Sequence, residues 1–91
     1  MMHNPAHPGE ILQEYIADLG LTISALAAHL KTSRVTLSRI VHGQSGISAE
    51  MALRLSEALG TTPEIWLKMQ AQYDLWQATR CHRIKIKPIA A

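Results

Sequence analysis

The segment from Thr22 to Gly43, TISALAAHLKTSRVTLSRIVHG, constrains the fold of this chain more than any other stretch. Thr22 and Ser33 are residue types that cap helices, and apolar residues recur after each of them at three- and four-residue intervals. Gly43 is a residue type that ends helices, and Lys31-Thr32 leaves room only for a tight turn. The segment therefore predicts two short helices that meet at an angle around that turn.

The second of these helices has an apolar side and a side that a core does not need. At about 100° per residue, Leu37, Ile40 and Val41 cluster on the side that we expect to be buried. The opposite side consists of Val35, Arg39 and His42, flanked by Ser38. A helix of barely two turns that exposes a valine beside an arginine presents a surface suited to contact another molecule.

The rest of the chain predicts an all-α fold with five helices. Helix formers dominate, apolar residues make up 47% of the chain, and phenylalanine is absent. Pro8 and Gly20 bound a first helix, and Ser48 and Gly60 bound a fourth. The run Thr62-Pro63-Glu64 predicts a capped start for a fifth helix that ends near residue 79. We divide the chain into an arm (1–6), a domain (7–79) and a basic tail (80–91), in which alternating Ile and Lys predict either a short edge strand or an arm that orders on a partner.

Positive charge is concentrated in two parts of the chain. Residues 31–54 carry four Lys or Arg against one acid, and residues 80–91 carry four with no acid. Residues 1–30 and 55–79 are net acidic. This alternation favours local contact with an anion over general binding of polyanions.

Several classes of function receive little support from the sequence. Cys81 is the only cysteine, so no intrachain disulfide or thiolate metal cluster is expected. His3 and His7 are four residues apart, but the prolines beside them oppose the helix that would make them a metal site, and we expect no cofactor. Glu10 and Glu14 fit a solvated face or a pair with Arg54 better than catalytic acids. Because we find no signal peptide or membrane span, we expect a cytoplasmic protein. Because no set of residues fits a catalytic site, we expect that it is not an enzyme.

The exposed side of the second short helix has the chemistry that reads DNA in the major groove. An arginine presents two parallel donors to guanine O6 and N7, and a valine methyl fits a thymine methyl. Short polar side chains and helix-start amides reach phosphates. The candidate DNA-binding residues are Thr22, Ser33, Arg34, Val35, Thr36, Ser38, Arg39 and His42.

The segment resembles a known family. The residues that carry the resemblance are Thr22, Leu26, Ala27, Ser33, Leu37, Ser38, Ile40 and Gly43, which match the helix-turn-helix signature of the Cro/C1 repressor type, also called the xenobiotic-response-element family. Outside it, residues 7–12 (HPGEIL), 47–55 (ISAEMALRL) and 73–76 (YDLW) are similar to HigA-type antitoxins. The resemblance implies a lambda-repressor-like domain whose base contacts fall at Arg34, Val35 and Arg39 and whose backbone contacts fall at Thr36 and His42. This sequence departs from the family's signature at Lys31, where such motifs usually carry glycine because the backbone needs a positive φ.

The same resemblance implies an antitoxin of a type II toxin–antitoxin system. Such a protein is a homodimer that neutralises a HigB-type, mRNA-cleaving toxin and represses its own operon. The residues expected at the dimer interface are Ile65, Trp66, Met69, Tyr73 and Trp76, because the fifth helix carries more apolar surface than one small core needs. Two alternatives stay open: a stand-alone Cro/C1-type repressor without a toxin, and a protein-interaction module.

Overall fold

The computed structural model describes residues 5–82 and 84–90, and these form five α-helices. They are α1 (Pro8–Leu19), α2 (Ile23–His29), α3 (Arg34–Val41), α4 (Ala49–Leu59) and α5 (Pro63–Cys81). The predicted all-α fold is confirmed. The edge-strand alternative for the tail is wrong: residues 84–90 form no strand and are exposed, because the described part of the chain offers no strand to pair with.

Three of the four predicted side-chain caps are present. Thr22, Ser33 and Ser48 each accept a hydrogen bond from the backbone amide three residues further on, at 3.0–3.1 Å. Thr62 is the N-cap of α5, with Pro63 at the first helical position and Glu64 in the first turn as predicted, but its side chain makes no cap bond. These bonds satisfy donors that a helix start leaves unpaired and so set where α2, α3 and α4 begin.

The cap of α1 is a histidine that the sequence analysis did not assign. His7 Nδ1 accepts from the Gly9 amide at 2.8 Å, and the Glu10 carboxylate accepts from the His7 amide at 3.1 Å. This reciprocal pair is a capping box. The Glu10 carboxylate therefore bonds to the His7 amide and not to Arg54. His7 is buried, and His3, the other member of the candidate metal pair, lies outside the described residues.

The core lies where the first four helices meet the first turns of α5. Its fully buried large side chains are Leu12, Leu26, Leu37, Leu55 and Trp66. Trp66 is 1% exposed, and its indole N–H donates to the Thr61 hydroxyl at 2.7 Å. Its assignment to the dimer interface is therefore wrong, because the start of α5 packs across α4 and uses this residue in the core of its own subunit.

The turn between α2 and α3 has the strained conformation that the sequence analysis expected. Lys31 has φ 59°, in the left-handed region. Its amide donates to the Ala28 carbonyl at 3.1 Å, and the Thr32 amide donates to the Ala27 carbonyl at 3.0 Å. These two bonds form a Schellman motif, in which glycine is the usual residue at the left-handed position.

We expect Lys31→Gly to raise the free energy of unfolding by about 1 kcal/mol, because glycine adopts this conformation without a Cβ penalty. Urea denaturation followed by circular dichroism measures the change. Ala28→Gly, at an exposed position inside α2, is the control and should lower stability by about 1 kcal/mol. A destabilised Lys31→Gly protein would show that the turn is not strained.

No single helix among residues 5–82 and 84–90 is long and apolar enough to cross a membrane. Helices α1 and α2 together reach that length and apolar content, but they are bent by 98° where they meet.

Candidate nucleic-acid interface

Helix α3 is held by one side and free on the other, as its sequence predicts. Leu37, Ile40 and Val41 are at most 4% exposed and face the core. On the reverse, Val35 is 66% exposed and Arg39 is exposed. The free face therefore offers an apolar branched side chain next to a guanidinium.

The carboxyl end of α3 rests directly on the start of α1. A Cβ placed on Gly9 would lie 2.1 Å from the Ile40 carbonyl oxygen and 2.9 Å from that of Val41. The Gln13 side-chain amide donates to the Val41 carbonyl at 3.0 Å. Sequence reasoning missed both contacts, although a glycine in the first turn of a helix is a signal of close approach.

The amino end of α3 is held by a local hydrogen-bond pair. Ser33 Oγ accepts from the Thr36 amide at 3.0 Å and donates to Thr36 Oγ1 at 2.8 Å. The Ser33 hydroxyl is thus occupied by capping, whereas the Thr36 hydroxyl keeps its own proton for an outside acceptor such as a phosphate. Of these two candidates, Thr36 is the better placed to contact DNA.

His42 lies at the other end of the exposed face, folded back onto the helix. Its Nδ1 is 2.8 Å from the Ser38 carbonyl oxygen and 3.2 Å from the Ser38 hydroxyl. A carbonyl only accepts, so Nδ1 carries a proton and Nε2 is the nitrogen left for an outside contact. In the neutral ring Nε2 accepts from a base amino group, and in the imidazolium it donates to a phosphate.

The cations of this face have no carboxylate partners in the described part of the chain. The ion pair found in the described part of the chain lies on α4, where Arg54 Nε is 3.2 Å from the Glu50 carboxylate. Arg34 and Arg39 are exposed and make no such pair among residues 5–82 and 84–90. Thr22, the N-cap of α2, is also exposed and belongs to the same two-helix unit. The unit therefore presents uncompensated positive charge of the kind that attracts phosphates.

Helix α5 carries the other candidate surface, of which Trp66 is no longer part. Ile65 is 48% exposed, while Met69, Tyr73 and Trp76 are partly buried. The ring of Tyr73 meets that of His7 edge-on at 4.8 Å. These four positions stay a prediction for the dimer interface.

Comparison with known proteins agrees with this geometry. A family model described as helix-turn-helix (HTH_3) matches residues 12–66. Virulence-associated protein A' of Dichelobacter nodosus is 46% identical over 77 residues, 84% of this chain and 67% of that protein. Antitoxin HigA-1 of Vibrio cholerae is 36% identical over 84 residues, 91% of this chain and 79% of that protein.

A solved structure gives the same result in three dimensions. The Pseudomonas aeruginosa antitoxin HigA with the higBA promoter matches at a TM-score of 0.83 and 37% identity, covering 93% of this chain and 98% of that one. Identity at this level over nearly whole chains carries the family as well as the fold. The chain belongs to the Cro/C1-type helix-turn-helix family, among whose members are HigA antitoxins.

Proposed function

We propose that this chain is a sequence-specific DNA-binding antitoxin that represses transcription from its own promoter. The observation that carries the proposal is the free face of α3, where Val35 and Arg39 are exposed while the reverse of the helix is buried. Such a helix fits the major groove, where a guanidinium reads guanine and a methyl group contacts thymine. The similar Pseudomonas aeruginosa HigA, solved with the higBA promoter, supports this use of the fold.

The protein acts as a homodimer in this proposal. An eight-residue helix covers only a few base pairs, and a two-fold axis places a second copy roughly 34 Å away, one turn of DNA further on. The proposed interface comprises Ile65, Met69, Tyr73 and Trp76 on α5. Its support is that α5 keeps large apolar side chains partly or largely exposed in a single subunit.

The proposed protein partner is a HigB-type toxin that cleaves mRNA, and the proposed place of action is the cytoplasm. The support is the similarity to proteins named HigA antitoxins. Purification of the tagged protein from its native cell, followed by identification of what accompanies it, tests this part. A small ribonuclease recovered in stoichiometric amount is the expected result; DNA binding without any such partner would favour a stand-alone repressor.

We expect Arg39→Ala to weaken binding to the gene's own promoter by about 5- to 150-fold, because a bidentate arginine–guanine contact contributes about 1–3 kcal/mol of discrimination. A mobility shift with promoter DNA and a scrambled duplex measures the loss of specific binding. The circular dichroism spectrum should not change, because Arg39 is exposed.

Lys68→Ala is the matched control for net charge. Lys68 is exposed on α5, and its removal takes away one positive charge without touching α3. This variant should bind the promoter as the parent does. If Arg39→Ala binds as tightly as the parent, or if both variants lose affinity equally, α3 does not read the promoter in the proposed way.

A further inference from the structure

Arg54 on α4 reaches across to the turn that joins the two helices of the DNA-binding unit. Its Nη1 donates to the Lys31 carbonyl at 3.0 Å and to the Leu30 carbonyl at 3.3 Å. Its Nε donates to the Glu50 carboxylate at 3.2 Å. One guanidinium thus holds two consecutive carbonyls of the turn and a carboxylate of its own helix.

The turn needs such support for two physical reasons. Lys31 has φ 59°, a conformation that disfavours a side chain with a Cβ. The carbonyls at the end of α2 also lack helical partners, and they lie at the negative end of the helix dipole, where a cation is favourable. Arg54 supplies donors and positive charge at that point. It is anchored there because the next residue, Leu55, is fully buried.

Neither of two simpler roles accounts for these contacts. The Arg54–Glu50 pair is exposed, with side chains 38% and 69% accessible, and an exposed pair of this kind contributes little to stability. As a phosphate ligand, Arg54 would have only Nη2 to offer, because Nε and Nη1 already donate to one carboxylate and two carbonyls. The geometry fits a residue whose role is to hold the turn.

We infer that Arg54 is a positioning residue that holds the left-handed turn at Lys31 and thereby fixes the direction of α3 relative to α2. Both helices of the unit contact the same duplex under the proposed function, on which this inference rests. A change in the angle between them would move the free face of α3 away from the base edges while leaving its own residues intact. Binding sites tolerate displacements of only about 0.5 Å before contacts weaken.

A double-mutant cycle between Arg54 and residue 31 tests the inference. Arg54→Ala is made in the parent and in the Lys31→Gly protein, where the turn is relaxed without help. We expect promoter affinity to fall about tenfold in the parent background and no more than about twofold in the Lys31→Gly background, a difference within the range seen for coupled neighbours. The denaturation midpoint should show the same pattern. Equal losses in both backgrounds would overturn the inference.

Two further measurements separate this role from its alternatives. The slope of log affinity against log salt concentration should not change in Arg54→Ala; a decrease of about 1 would identify Arg54 as a phosphate ligand and overturn the inference. Arg54→Lys keeps the positive charge and a single donor nitrogen, so it should retain an intermediate affinity. If the Arg54→Ala protein does not fold, Arg54→Lys replaces it in the cycle. If the parent does not bind its promoter, the proposed function fails, and the denaturation midpoints alone decide the role of Arg54.

Discussion

Gly9→Ala is expected to lower the free energy of unfolding by about 2–3 kcal/mol, the loss typical of forcing an extra carbon into a packed site. Helix propensity alone would predict a gain, because alanine is the better helix former and Gly9 lies within α1. The loss comes from the Ile40 carbonyl oxygen, 2.1 Å from where the new methyl group would lie. Backbone cannot rotate away as a side chain can, so α1 and the end of α3 must separate.

The control for this prediction is Gly20→Ala at the other end of α1. Gly20 has φ 66° but open space around its Cβ position, so alanine there incurs only backbone strain, about 1 kcal/mol. Urea denaturation of the two variants measures the difference. Should Gly9→Ala be as stable as the parent, α1 does not seat α3 as described, and the free face of α3 would have a different orientation.

Trp76→Glu is expected to lower promoter affinity by about a thousandfold, the middle of the range that linking two binding sites contributes. Trp76 is partly buried, with the Arg80 guanidinium 4.6 Å from the centre of its ring. A carboxylate placed in the proposed dimer seam would lose its hydration when the two copies associate. The monomer should remain folded, since its core includes Trp66 and not Trp76.

Light scattering and a promoter mobility shift are measured together for this variant. Ala71→Glu is the matched control, because Ala71 is an exposed position on the opposite side of α5. It adds the same charge and should leave both the dimer and the affinity unchanged. A Trp76→Glu protein that remains a dimer would exclude α5 around Trp76 as the interface.

The local features of this fold could be predicted because each depends on a few neighbouring residues. A serine or threonine before an apolar run, as at Ser33 and Ser48, predicted where helices begin. The opposite exposure of Val35 and Leu37 followed from helical periodicity alone. The strained turn at Lys31 could be expected because the resemblance placed a glycine there.

The features that depend on distant residues could not be predicted. Trp66 and Trp76 both follow the apolar seam of α5, and periodicity cannot tell which of them the same subunit buries. Arg54 reaches carbonyls more than twenty positions earlier in the chain. Its position in the sequence could not show that it contacts this turn and not Glu10. The close approach of Gly9 to α3 likewise depends on how α1 and α3 pack.

We expect the free face of α3 to enter the DNA groove while its reverse stays in the core. The two valines of the chain, Val35 and Val41, are both on α3, one 66% exposed and the other 4% exposed. A nuclear magnetic resonance titration of valine-methyl-labelled protein with promoter DNA therefore observes both sides of this helix and nothing else. We predict large shifts and intermolecular contacts to thymine methyl groups for Val35, with Val41 almost unchanged. Tight DNA binding that leaves the Val35 methyl groups unperturbed would show that this face of α3 does not enter the groove.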